Sequence, residues 1–219
     1  MDLKLKICGM REPENIQQVS LLRPDYFGLI FYEGSPRFVS EDIGNPGQEI
    51  KKVGVFVNAS EEYILEKVKK FGLSAVQLHG GESADFCSRL KKDAGIFPQI
   101  IKVFSIKEAF DFQLLKDFEE HVDLFLFDTK GRQHGGNGIA FNWKVLKDYS
   151  STTPFFLSGG IGPDEVPAIK NLYKYFQNEG KQNVFYGVDV NSRFENAPGL
   201  KNADKLRNFK KELFSVEQK

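Results

Sequence analysis

Cysteine is scarce in this chain: Cys8 and Cys87 are the only two among 219 residues. Two cysteines cannot build a disulfide framework, so a hydrophobic core must hold the fold, and a reducing, cytoplasmic setting follows. Net charge is missing too, with 30 basic residues against 30 acidic. That balance argues against a general binder of nucleic acid or anionic membranes. No apolar run approaches the roughly 20 residues that span a bilayer, and the first residues lack a signal-peptide apolar stretch. Histidine is limited to three residues, and only His79 closes a strand-like run. One such histidine with scattered aspartates is a poor ligand set, so no metal is expected. No lysine stands at the very end of a strand-like run, which disfavours Schiff-base chemistry through a lysine.

What the sequence does have is apolar runs at regular intervals. With 41% hydrophobic residues, a full core needs no covalent staples. Strand-like runs occupy residues 3–8, 26–31, 52–57, 75–79, 99–104, 123–128, 154–158 and 184–190. Several are nearly continuous in β-branched and aromatic residues, as strands buried on both faces are. Helical patterns lie between them. Residues 60–72 gather Ile64, Leu65, Val68 and Phe71 on one face behind Ser60 as N-cap. Residues 83–92 group Phe86, Cys87 and Leu90, and residues 202–214 space Leu206, Phe209 and Leu213 along one face. Residues 40–50, which include Pro46, predict only a short or irregular second helix. Strands alternating with helices imply parallel pairing through crossovers. Eight such units, with no linker or low-complexity stretch, predict one (β/α)8 TIM-barrel domain over residues 1–219. A doubly wound open sheet is the alternative the strand count leaves.

A barrel of this kind carries its chemistry where strands end. Those ends read Cys8, Tyr32 with the loop to Arg37, Asn58, His79, Ser105, Asp128, Ser158-Gly159-Gly160 and Asp189. The run "SGGIGPDEV" puts two glycines and then Pro163 after strand 7, so backbone N–H groups can approach an anion. The run "GVDVNSRFENAPGLKN" follows strand 8. Loops after strands 7 and 8 commonly hold phosphate in such barrels. A phosphorylated small substrate is therefore expected, although Gly159-Gly160 alone could be a plain turn. Strands 1 and 6 stand three steps apart around the ring, about 14 Å by barrel geometry. A thiol from Cys8 and a carboxyl from Asp128 would face each other across room for a sugar, as an acid–base pair would. Each also has a simpler reading. Cys8 could be a small buried hydrophobe, Asp128 and Asp189 could cap turns, and Arg37 could be a solvated loop charge.

Taken together, "KICGM", "GSPRFVS", "VGVFVN", "VQLHGGE", "FDTKGRQHGGNGIAFNW", "LSGGIGPDEV" and "GVDVNSRFENAPGLKN" resemble the phosphoribosylanthranilate isomerase family over nearly the whole chain. The resemblance implies a (β/α)8 enzyme of tryptophan biosynthesis that performs an Amadori rearrangement without metal or cofactor. It implies Cys8 as general base, Asp128 as general acid and Arg37 as the contact for the anthranilate carboxylate. Gly159, Gly160 and Ser192 match the phosphate site, and Asp189 and His79 are candidates to line the substrate. The expected partner is a small phosphorylated molecule, with no nucleic acid and no membrane, the chain acting as a monomer or weak homodimer. Arg193 departs from the pattern, standing where the family has glycine. It either strains the loop, if that position needs a left-handed backbone, or adds a phosphate contact; the expectation is that it faces the phosphate. Lys6, two positions before Cys8 and on its strand face, is the first suspect for making the thiol basic. A different phosphosugar barrel, such as a metal-dependent epimerase or indole-glycerol-phosphate synthase, would want other strand-end residues. A barrel that only binds phosphate would not need both Cys8 and Asp128.

Overall fold

In β1 (Lys4–Cys8) apolar Leu5 and Ile7 alternate with Lys6 and Cys8, and this period of two sets inside from outside. Leu5 and Ile7 join the outer core under the helices, while the Lys6 and Cys8 side chains turn into a barrel. The computed structural model describes residues 1–41, 43–44, 46–47, 49–92, 98–106, 109–129 and 143–215. The further strands are β2 (Tyr26–Ile30), β3 (Lys51–Phe56), β4 (Ala75–Leu78), β5 (Gln99–Ile106), β6 (Leu124–Thr129), β7 (Phe155–Ser158) and β8 (Phe185–Val190). They pair in parallel in chain order, and β8 closes on β1. The closed ring excludes the open sheet. Each strand lies within two residues of its expected bounds.

The helical half departs further from expectation. Among the described residues, α-helices follow five strands: α1 (Pro13–Ser20), α2 (Glu61–Phe71), α3 (Ala84–Lys92), α4 (Val166–Asn178) and α5 (Ala203–Leu213). Ser60 caps α2 as its sequence suggests, accepting from the Tyr63 amide at 3.3 Å. The described residues within 40–50 form no helix. After β5 and β6 the chain makes 3-10 turns, at Phe112–Leu115 and Trp143–Asp148. After β5 the described residues thus make a 3-10 turn where an α-helix was expected. Phe110 and Phe112 supply the physical reason after β5. Both rings pack against Phe127, each with centroids 6.1 Å away. Residues two apart face different sides of an α-helix, so a regular helix could not bury both there.

Two irregularities matter for the site. In β8, Tyr186 is an extra residue: Phe155 pairs with Phe185, but Phe156 pairs with Gly187. This bulge reverses the inside–outside alternation, so Val188 and Val190 join the outer core and Asp189 points inward to Lys6. Next comes a small antiparallel hairpin, β9 (Glu195–Ala197) and β10 (Leu200–Lys201), before α5. No sequence pattern announced it. Below the site the barrel interior is closed by Tyr26, Val53, Ala75, Ile101, Leu124, Leu126 and Phe156. The Tyr26 and Tyr186 hydroxyls meet there at 2.7 Å.

Candidate active site

A cavity of about 220 Å³ opens at the C-terminal ends of the strands. Eight of the nine residues singled out from sequence line it: Cys8 on β1, His79 after β4, Asp128 on β6, Gly159 and Gly160 after β7, Asp189 on β8, and Ser192 and Arg193 beyond it. The ninth, Arg37, does not line it. Most of the motif beginning at Phe127 falls on residues 130–142, including His134 and Asn137, and lies outside the described residues.

Cys8 is only 5% exposed. Space for its sulfur comes from the neighbouring strand, where Gly28 is its register partner. A Cβ at Gly28 would lie 2.7 Å from Sγ. Burial pushes the Cys8 thiol above the ordinary range, and the Asp189 carboxylate pushes the same way. Lys6 and Lys201 oppose this without overcoming it. Lys6 therefore acts on the thiol in the expected direction but does not by itself make a thiolate. The other cysteine, Cys87, is fully buried in α3, and burial pushes its thiol to about 11. It takes no part in the cavity.

Lys6 is wholly buried and donates to Asp189 Oδ1 at 2.8 Å. Burial alone would favour its neutral form; Asp189 and Cys8 outweigh burial and raise its proton affinity. The second Asp189 oxygen accepts from the Ser158 hydroxyl at 3.3 Å. Asp189 is thus anchored on two sides in the barrel floor. On the far wall, Asp128 Oδ2 stands 3.6 Å from His79 Nε2, beyond a hydrogen bond but close enough for an imidazolium to pair with it.

Arg37 is held in a fork by Glu195. Nε donates to Oε1 at 2.8 Å and Nη2 to Oε2 at 2.5 Å. Lys201 donates to the same Oε1 at 2.5 Å and to Asn191 Oδ1 at 2.7 Å. Burial works against the Glu195 charge, but Arg37 and Lys201 together hold its carboxyl at about 2. The cluster crosses Gly9, whose φ of +74° suits glycine. A Cβ there would sit 2.6 Å from Arg37 Cδ and 2.8 Å from Asn191 Oδ1. Gly9 thus makes room for this cluster, beside Cys8.

Arg193 is not strained, since Arg23 and Asn58 are the described non-glycine residues with positive φ. It sits in the 3-10 turn Ser192–Phe194. Its Nη2 lies 3.8 Å from Asp164 and 3.9 Å from Glu165, so it leans from the β8 loop onto the β7 loop. Gly159 and Gly160 take φ of +88° and +67°, and a Cβ on Gly160 would meet open space. Gly160, which is exposed, and the Arg193 cation share one rim of the cavity, suited to an anion.

Sequence reasoning missed Gln77, Asn191, Glu195, Lys201 and Gly28. A signal existed only for Gln77, a polar residue inside a buried apolar strand. The others acquire their places from strand register or from the β9–β10 hairpin. No group of three or more metal-binding side chains converges among the described residues.

A family model described as N-(5'phosphoribosyl)anthranilate (PRA) isomerase matches residues 5–212. The N-(5'-phosphoribosyl)anthranilate isomerase of Parabacteroides distasonis is 44% identical over 211 residues, covering 94% of this chain and 90% of its own. The phosphoribosyl anthranilate isomerase structure from Thermus thermophilus aligns with a TM-score of 0.77 at 25% identity, covering 96% of this chain and 98% of its own. A phosphoribosyl anthranilate isomerase solved with reduced 1-(o-carboxyphenylamino)-1-deoxyribulose 5-phosphate aligns with a TM-score of 0.71, at 25% identity and the same coverages.

Proposed function

The chain belongs to the N-(5'-phosphoribosyl)anthranilate isomerase family, enzymes of tryptophan biosynthesis, and from there we propose that Cys8 is its general base and Asp128 its general acid. One observation carries these roles. A thiol on β1 and a carboxyl on β6, three strands apart around the ring, line the same small cavity, whose rim holds Gly159, Gly160 and Ser192.

The chemistry needs a proton given at one point of the sugar and taken at another. Asp128 gives its proton to the furanose ring oxygen. The bond from that oxygen to C1 breaks, and the anilino nitrogen pair forms a C1=N iminium. Cys8, as thiolate, removes the proton from C2. The C–H electron pair becomes a C1=C2 bond and the iminium π pair returns to nitrogen, giving an enolamine. A proton then adds at C1 and the C2 hydroxyl loses its own, leaving the ketone. Substrate and product are isomers, so no oxidant or reductant is consumed. Once the iminium has formed, its positive charge beside the thiol adds to the pull of Lys6 and Lys201 and favours the thiolate that removes the C2 proton.

The remaining contacts follow the shape of the substrate. The phosphate would rest on Gly159, Gly160 and Ser192, with Arg193 as a cation on the same rim. The anthranilate carboxylate would take the Arg37 Nη1 edge, which the Glu195 fork leaves out. Two cationic side chains against one carboxylate give this cluster a positive surplus to attract it. Asp189 holds Lys6 under the sugar, and His79 stands beside Asp128. The reading includes a single catalytic domain, a monomer or weak homodimer, working in the cytoplasm. Anthranilate derivatives fluoresce, so turnover is tested by adding purified protein to phosphoribosylanthranilate without metal or cofactor. The expected result is rapid enzyme-dependent loss of substrate fluorescence. No loss above the spontaneous rate overturns the proposal.

A further inference from the structure

Gln77 is an anomaly in the cavity floor. It faces inward from the middle of β4, is 2% exposed and lines the cavity. Its register partners on either side are Val55 of β3 and Ile101 of β5, neither with a side-chain donor to offer. Its carbonyl oxygen Oε1 is buried and has no hydrogen-bond partner. Buried amides are ordinarily satisfied, and an unmatched one destabilises the free protein. An apolar residue would pack this position better, in a floor otherwise made here of Ile30, Val55 and Leu126. Such exceptions cluster where a ligand completes the bonding.

We propose that Gln77 is a substrate-binding residue whose side-chain carbonyl accepts a hydrogen bond from a hydroxyl on the C2–C3 segment of the pentose. The placement follows from the ring of strands. The phosphate loops follow β7 and β8, and β4 stands opposite β8. A pentose with its phosphate on those loops, C2 at Cys8 and its ring oxygen at Asp128 turns its C2–C3 edge down toward the β4 wall. Cys8 and Asp128 line the same cavity as Gln77. The bond would fix the rotation of the sugar, so that the C2 hydrogen meets the thiol. This assignment rests on the isomerase reading and deepens it.

The test is Gln77→Met, which keeps length and flexibility while removing the amide, with Gln77→Leu as a second variant. A bound hydroxyl that loses its acceptor should reduce kcat/KM about tenfold to a hundredfold. The free variant should unfold at the same temperature as the parent or higher, because an unmatched buried oxygen has gone. The rise in unfolding temperature produced by reduced 1-(o-carboxyphenylamino)-1-deoxyribulose 5-phosphate should shrink in both variants. A kcat/KM within twofold of the parent overturns the assignment. So does activity that falls in both variants only in step with a lower unfolding temperature, with KM unchanged. If the parent itself shows no turnover, the isomerase reading fails and this assignment falls with it. Parent turnover with unaltered Gln77 variants defeats the assignment alone.

Discussion

A single methyl group added to Gly28 would stand 2.7 Å from the Cys8 sulfur. Van der Waals contact needs nearly another ångström, so either the thiol rotates away or β1 and β2 part. Gly28→Ala is therefore expected to reduce kcat more than tenfold with KM changed less than threefold. Its stability cost should be about 1–3 kcal/mol, the usual range for overpacking. Steady-state kinetics beside thermal unfolding check this; a variant with parental kcat shows that the thiol position does not matter. Cys8 itself was legible in the sequence, because a cysteine ending the first strand is visible once the strands are counted. Its environment was not. Lys6 could be suspected from its spacing, but burial and the Asp189 carboxylate, which oppose it, come from the folded barrel and from β8.

The element that most changes the picture is the β9–β10 hairpin. It carries Glu195 and Lys201 back over Gly9 and so fixes Arg37 at the barrel mouth. A carboxyl held at about 2, below its ordinary value near 4.3, stabilises the fold fully above pH ~4.3. That contribution, on the order of 2 kcal/mol, is lost as pH falls from about 4 toward 2. Glu195→Gln removes the charge that titrates. Its unfolding temperature should be lower than the parent's at pH 7, and the difference should narrow toward pH 2–3. KM for the anthranilate substrate should rise severalfold as Arg37 loses its fork. Unfolding measured across pH 2–7, with KM at pH 7, decides it; a difference that does not narrow on the acid side contradicts the ion cluster. The strands were readable because their apolar runs are short and local. The hairpin was not, since its two strands are only three and two residues long. The 3-10 turn after β5 escaped for a related reason, because Phe110 and Phe112 follow Phe127 and not a helical period.

At the scale of the whole molecule, the ring of eight strands brings β1 and β6 to opposite sides of one cavity and sets β7 and β8 between them. A thiol, a carboxyl and a glycine rim thus meet in one cavity from residues as distant in sequence as Cys8, Asp128 and Gly159. The architecture was legible from strand order and spacing. The candidate site was legible as a set of strand ends. Its hidden partners, Gln77 below and Glu195 with Lys201 beside it, required the folded chain. The central claim is that Cys8 and Asp128 act as one pair on one substrate. The most direct test measures turnover of phosphoribosylanthranilate by Cys8→Ala, by Asp128→Asn and by the double variant. Each single variant should lose at least a hundredfold in kcat, about 2.7 kcal/mol or more of transition-state stabilisation, and the double should be little worse than the poorer single. Turnover within a few-fold of the parent in either single variant would contradict the pair.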